Sequence, residues 1–559
     1  MKYKPFPVGV DNFEKMISEN YFYVDKTLFI RDIIDTKGEV TLCTRPRRFG
    51  KSLNISMLHY FFDINKKQDA HIFEHLNITK AGEAYLAHQN KYPVIKLSLK
   101  GASMKTYHSS LEKLKIEIAR EFRQHDYLLS SPALNDDEKE LFRQIFARKA
   151  SEEDYSSSLK FLSEWLQRHH NKKVLILIDE YDVPLEKSYF NGYYDDMVDF
   201  VRGFFGEALK TNDALHKAIL TGCLRVSKES IFTGVNNLNV VSILTNLYDE
   251  YFGITEDEVA DALAYYGFEE KAETAKTWYN GYVFGNTTVY NPWSLIQYLQ
   301  SVYYEELYPK SFWANTSSNS IVKELIHNAD NDTKGEIELL MAGGIITKPI
   351  TEDIAYNEVI TTMDNLWNFL FFTGYLKKVD GHFEERTLYL NLKIPNQEIM
   401  YIYDRFVYEW FQEKVQVADF SALYTAVQNG DLQTFHHILT DTLYQTMSFM
   451  DHGESFYHGF LLGLLRSMNG YFVKSNRESG NGRGDIFIKP ISIRKPAIVI
   501  ELKIAETATQ MKNKSQEALM QIIDNKYEVD LLSEGYPNVL KYGIAFYRKD
   551  CEIAIENAN

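Results

Sequence analysis

Two apolar runs break the otherwise mixed pattern of this chain. Glu39-Val40-Thr41-Leu42-Cys43-Thr44 reads as a short buried strand, and Val174-Leu175-Ile176-Leu177-Ile178 as a second, closed by Asp179-Glu180. Runs without polar alternation suit the central strands of a parallel sheet, covered on both faces. After the first run, Ser52-Leu53-Asn54-Ile55-Ser56-Met57-Leu58 carries apolar residues at helical spacing, and Ala218-Ile219-Leu220-Thr221-Gly222 supplies a third strand with a polar end. Between the two runs the pattern is mostly helical. Leu141-Phe142-Ile145-Phe146 and Leu159-Leu162-Trp165-Leu166 step at i, i+3, i+4, the signature of core packing. Asp257 to Phe268 reads as a lid helix, and Trp278 to Ser294 as an aromatic, turn-rich connection. Leu366-Trp367-Leu370-Phe371, then Gly374-Tyr375-Leu376 and Thr387-Leu388-Tyr389-Leu390, read as a helix followed by a hairpin, the outline of a winged helix.

The pattern shifts again near the C-terminus. Phe456, Phe460 and Leu464 at four-residue steps predict a helix over 454–465 that opens on Glu454. Strands are predicted at Tyr471-Phe472-Val473-Lys474-Ser475, at Asp485-Ile486-Phe487-Ile488 after the turn-rich Ser479 to Gly484, and at Ala497 to Lys503. A further helix is predicted from Gln516 to Tyr527, with Gln521 within one turn of Glu517, so that a polar face could turn to the same site. Alternation in the last strand puts Glu501 and Lys503 on one face and Ile500 and Leu502 on the other.

Chemistry gathers at the ends of these elements. Arg45-Pro46-Arg47-Arg48-Phe49-Gly50-Lys51-Ser52 sits between a strand and a helix, where backbone N–H groups and the helix dipole favour a phosphate. Gly50 would let the backbone approach, Lys51 would reach the β and γ oxygens, and the Ser52 hydroxyl would ligate Mg2+. Arg45 stands where the general loop pattern has glycine. A left-handed backbone there would cost about 1 kcal/mol or more, so Arg45, Arg47 and Arg48 are read instead as charge around the phosphates. Asp179 would hold Mg2+ through water and Glu180 polarise an attacking water, both at the carboxyl end of a strand where such sheets bind ligands. Thr221 at the polar end of the third strand and Arg225 after it are read as a phosphate sensor, with a plain surface arginine as the competing reading.

In the C-terminal group, Asp485 and Glu501 would share a divalent cation, with Glu454 completing its shell. Mg2+ suits one or two carboxylates plus waters. Lys503 would orient or deprotonate a water attacking phosphorus. Taken alone, Glu501-Leu502-Lys503 looks no different from a charged edge strand. The order of elements around it is what points to a phosphodiesterase core.

At 559 residues the chain exceeds one hydrophobic core, and its 45% hydrophobic and 25% charged content is that of globular protein. Three scattered cysteines give no disulfide or metal spacing and fit a cytoplasmic setting. No apolar leader or membrane-length run is seen in the sequence. The net charge of −16 argues against indiscriminate coating of nucleic acid. Residues 451–559, however, hold fourteen acidic and fourteen basic side chains, so all the excess negative charge lies upstream. Lys474, Arg477, Arg483, Lys489, Arg494 and Lys495 face only Glu478 and Asp485 between 474 and 495, a local patch able to hold phosphates. A solvated hairpin would look the same.

Together these stretches resemble a bacterial AAA-ATPase-like family with a C-terminal PD-(D/E)XK nuclease-superfamily domain. The resemblance rests on Tyr23-Val24-Asp25-Lys26-Thr27, Arg45 to Ser52, Ile178-Asp179-Glu180-Tyr181-Asp182, Trp278 to Tyr282, Tyr290 to Ser294, Phe456-Tyr457-His458-Gly459 and Lys474 to Glu478. It implies an α/β multidomain chain. A P-loop, STAND/AAA-like parallel-sheet ATPase core with a helical insertion would span 1–250, a helical lid region 251–330, a winged-helix-like domain 331–412, a helical connector 413–450, and a restriction-endonuclease-like α/β domain 451–559. Catalytic roles are implied for Glu180, Asp485, Glu501 and Lys503. Nucleotide contacts are implied for Arg45, Arg48, Gly50, Lys51, Ser52, Asp179 and Arg225, and metal ligation for Ser52, Asp179, Glu454, Asp485 and Glu501. Gly484 replaces the proline that names the superfamily. ATP and Mg2+ are the implied cofactors and DNA or RNA the implied partner, with no membrane and the oligomeric state open. The competing reading is a nucleotide-dependent switch whose nuclease-like fold binds nucleic acid or protein without cleaving.

Overall fold

A computed structural model describes residues 3–557 apart from 211, 226–230, 233–236, 307, 314–321, 323–329, 353–362, 407–418, 447–453, 467 and 480–481. The chain divides into two compact units, residues 1–316 with 347–399, and residues 317–346 with 400–559.

The first unit is built on a parallel sheet of β1 (Val40–Thr44), β2 (Val94–Ser98), β3 (Val174–Asp179), β4 (Leu215–Gly222) and β5 (Leu238–Val241), in the order β2-β3-β4-β1-β5. Every residue of β1 and β3 is buried, as their unbroken apolar runs require. β4 lies between them, with Thr44 opposite Gly222 and Ile178 opposite Leu220. The loop after β1, the acids at the end of β3 and the polar end of β4 therefore emerge side by side at the carboxyl end of the sheet.

The expected insertion between loop and acids is helical, but it also contains β2. That strand is short and carries a central lysine, Lys96, which hides its apolar character. The lid helix runs over Glu256–Tyr266, capped by Thr255 and Glu258 in a reciprocal box and ended by Gly267 at φ 75°. The aromatic connection supplies β7 (Tyr282–Phe284) and β8 (Thr287–Tyr290), which form a small sheet with β6 (Ile254–Thr255) and lead into the helix Pro292–Tyr303. The Phe49 ring of the loop packs against Tyr282 and Phe284 at 4.9 and 5.0 Å. Farther on, the predicted helix and hairpin appear as Met363–Phe372, β10 (Lys377–Glu384) and β11 (Thr387–Lys393), joined by β9 (Ile346–Ile350).

The second unit centres on β12 (Tyr471–Ser479), β13 (Gly482–Pro490), β14 (Ala497–Ile504), β15 (Val539–Tyr547) and β16 (Asp550–Asn557), paired in that order. β14 and β15 are parallel and the other pairs antiparallel. One face packs Ile498, Ile500 and Leu502 against residues of the helices Ser421–Asn429, Leu432–Thr446 and Glu454–Leu465, so residues 421–446 share a core with this sheet. The helix Met511–Asp524 covers the other face. It comes close because Gly543, opposite Glu501, has no side chain. A Cβ there would collide with Ser515 O and Leu519 N. No described helix is long and apolar enough to cross a membrane.

Candidate nucleotide and phosphodiester sites

The loop between β1 and the helix Lys51–Phe62 turns through Gly50 at φ 82°. Lys51 is buried, and its ammonium donates to Arg45 O and Pro46 O at 2.8 Å each, inside the turn. Ser52 Oγ donates to Asp179 Oδ2 and Thr221 Oγ1 to Asp179 Oδ1, both at 2.6 Å. One buried carboxylate thus ties the loop, β3 and β4 together. Glu180 stands beside it with φ 54°, a left-handed backbone that an ordinary residue adopts only under constraint. Burial and the neighbouring Asp179 push the Glu180 carboxyl up, while Lys51 and Lys100 pull it down.

The arginines differ from expectation. Arg45 is fully buried, donates to Thr44 O and Val241 O at 2.9 Å, and lies 5.2 Å from the Phe252 and Phe284 rings. Its guanidinium satisfies backbone carbonyls in the interior, so the charge expected around a phosphate is spent inside the fold. The non-glycine residue that shares the left-handed region with Gly50 in this loop is Arg48, at φ 71°, and not Arg45. The Arg48 guanidinium stacks on Trp293 at 4.1 Å, and its pKa is lowered by burial and raised by Glu180. Arg47 pairs with Glu186 at 2.6 Å. Arg225 Nη1 lies 4.0 Å from Glu352, and Ser242 Oγ donates to the same carboxylate at 2.6 Å.

Two residues of the acidic motif act where sequence reasoning assigned nothing. Asp182, 1% exposed, accepts from Cys223 N at 2.7 Å and Leu224 N at 3.1 Å, and the Tyr181 hydroxyl donates to Leu224 O at 2.6 Å. Both side chains therefore clamp the segment leaving β4, between Thr221 and Arg225. Burial raises the Asp182 carboxyl against the pull of its two backbone donors. The signal was the acid three residues after Asp179, facing a glycine, Gly222, where any Cβ would strike Tyr181 and Asp182.

In the second unit, β13 and β14 bring Asp485 and Glu501 together. Asp485 N donates to Glu501 Oε2 at 3.3 Å, and Leu502 N to Asp485 Oδ2 at 2.8 Å. Gln521 donates to Glu501 Oε1, the contact that the close approach at Gly543 permits. His458 Nε2 donates to Asp485 O at 3.1 Å. Glu501 is 4% exposed, whereas Lys503, two residues on and on the same face, is half-buried. Glu454 opens its helix, but its side chain lies outside the described residues. Among the described residues no three His, Cys, Asp or Glu side chains gather to hold a metal ion. Two adjoining carboxylates that already accept neutral N–H donors still fit a hard cation that keeps most of its waters.

Residues 7–232 match the family described as Predicted AAA-ATPase, and residues 452–556 match the PD-(D/E)XK nuclease superfamily. A protein of Azotobacter chroococcum mcd 1, described as an uncharacterized protein in the vnfD 5' region, is 27% identical over 333 residues, 58% of this chain. The chain spans 57% of that relative's length. A solved Walker-type ATPase of Pyrococcus abyssi overlays 72% of this chain and 98% of its own, with 13% identity and a TM-score of 0.36. That overlay is too loose to add to the strand order and register. The chain joins an AAA-ATPase-like domain at its N-terminus to a PD-(D/E)XK nuclease-superfamily domain at its C-terminus.

Proposed function

We propose that the protein binds and hydrolyses ATP in its first unit and cleaves nucleic-acid phosphodiesters in its second, with nucleotide state controlling the cleavage. The observation that carries the reading is the single carboxylate of Asp179 receiving both Ser52 and Thr221 at 2.6 Å. Ser52 and Asp179 would hold Mg2+, which when bound neutralises phosphate charge. Lys51 would exchange its loop carbonyls for β and γ oxygens, and Glu180 would take the proton of the water that attacks the γ-phosphorus as ADP leaves. In the second unit Asp485 and Glu501 would hold the cation, whose chemistry there is to polarise the phosphodiester. Lys503 would orient the attacking water and balance charge growing on the phosphate oxygens as the ester oxygen departs.

The test is incubation of the purified protein with circular, linear and single-stranded DNA and with RNA, in Mg2+ or EDTA, with and without ATP. Mg2+-dependent cleavage whose rate changes with ATP is expected. ATP turnover without cleavage of any substrate would instead favour a switch that binds without cutting.

The clamp after β4 adds a sharper expectation. Asp182→Ala frees Cys223 N and Leu224 N and lets Thr221 drift, so ATP turnover should fall roughly tenfold or more with nucleotide affinity little changed, since a small misplacement costs far more in rate than in binding. Asp182→Asn keeps an oxygen acceptor for both N–H groups and should restore most of the rate. Equal losses in the two variants would remove the clamp from the argument.

A further inference from the structure

One face of the C-terminal sheet carries both the carboxylates and an open edge. Lys474 lies opposite Phe487 and Phe472 opposite Lys489, and directly opposed residues share a face. Phe487 packs with Ala497 and Val499. Two-residue steps along β13 and β14 continue that face to Asp485, Glu501 and Lys503. Phe472 and Lys474 thus stand on the same face as the candidate site, on β12, which among the described residues pairs only with β13. Phe472 is 62% exposed and Lys474 is exposed as well. Ser475 faces Ile486 and Arg477 faces Gly484, so the position facing Asp485 falls between them. Phe472 lies four residues before that position, about 14 Å along the strand, with Lys474 halfway.

A flat apolar ring in water, a lysine, and a pair of carboxylates follow one another in line. We infer that Phe472 and Lys474 form a track for single-stranded nucleic acid leading to Asp485 and Glu501, Phe472 stacking on an unpaired base and Lys474 gripping the backbone. The inference rests on the phosphodiester reading of this site and narrows its substrate. Bases in a duplex have their faces closed by their neighbours, whereas an aromatic platform beside a basic groove takes unpaired bases of any sequence. Charge along the chain agrees, since the sequence from 474 to 495 holds six basic residues and two acids, one of them Asp485 itself, and Lys489 is taken up by an acid beyond it, Glu534. The same charge opposes the rival occupant, a second copy pairing along β12, because lysine on an edge strand discourages edge-to-edge association.

The test is fluorescence anisotropy with a labelled oligothymidylate, free and annealed to its complement, in EDTA so that cleavage contributes nothing. Phe472→Ala should weaken single-strand binding roughly fivefold or more, Phe472→Trp should retain it, and Lys474→Ala should flatten the dependence of log affinity on log salt by about 0.7. Both side chains are exposed, so circular dichroism should be unchanged. Unaltered binding by Phe472→Ala, tighter wild-type binding of the duplex, or a dimer dispersed by Phe472→Ala would each overturn the track. If the wild type still cleaves nucleic acid with Mg2+ in those cases, the phosphodiester reading survives alone. If the wild type neither binds nor cleaves any nucleic acid, both fall.

Discussion

Lys51→Ala is expected to weaken ATP binding roughly tenfold to hundredfold and to reduce turnover further. Lys51 is 6% exposed, and its ammonium is held within the loop by Arg45 O and Pro46 O. It is therefore already placed where a triphosphate would meet it, and binding trades carbonyl acceptors for charged ones. A hydrogen bond to a charged group contributes roughly 1.5–3 kcal/mol, enough for a tenfold to hundredfold change in affinity. Turnover should lose more, since removing one fixed donor aimed at developing charge typically costs about 10²–10³ in rate. Lys51→Arg should rescue little, because the planar guanidinium does not fit a site built around a compact ammonium. Titration with a fluorescent ATP analogue and initial-rate measurement would read both effects, with a thermal melt to show that the variant is folded. Unchanged affinity would contradict the loop assignment outright.

What the sequence disclosed of this site is the chemistry that is local in the chain. Gly50, Lys51 and Ser52 are adjacent, Asp179 and Glu180 end an apolar run, and Glu501 and Lys503 are two apart, so periodicity alone gives their element and face. What it hid depends on contacts between distant segments. Arg45 looked like one more phosphate ligand, yet β5 and the Phe252 and Phe284 rings enclose it, and only the fold says so. The strained position was looked for at Arg45 because the general motif has glycine there; the left-handed non-glycine residue of the loop is Arg48 instead, where stacking on Trp293 from a much later helix holds the guanidinium. Asp182 drew no role from the sequence and is a clamp on a backbone 41 residues away. Gly543 carries no motif at all. Its role is the space it leaves for the helix Met511–Asp524, which carries Gln521 to Glu501.

Lys503→Ala is expected to cut Mg2+-dependent cleavage by about a hundredfold or more while leaving ATP turnover at its wild-type rate. The two carboxylates are positioned by neutral donors, Leu502 N on Asp485 and Gln521 on Glu501, so their geometry does not depend on the lysine. Lys503 is half-buried on their face, free enough to reach an incoming phosphate and costly to no packed core when shortened. Its loss should therefore appear in the rate, through the transition-state charge it no longer balances. It should not appear in metal affinity. Asp485→Asn should do the opposite at the first step, weakening divalent cation binding, because it removes one of the two carboxylates that would neutralise the ion. Calorimetric titration with Mn2+ separates the variants: wild-type affinity for Lys503→Ala, a clear loss for Asp485→Asn, and cleavage severely reduced in both. Cleavage by Lys503→Ala at the wild-type rate would mean that the activity belongs to a contaminant, and unchanged Mn2+ binding by Asp485→Asn would place any cation elsewhere in the chain.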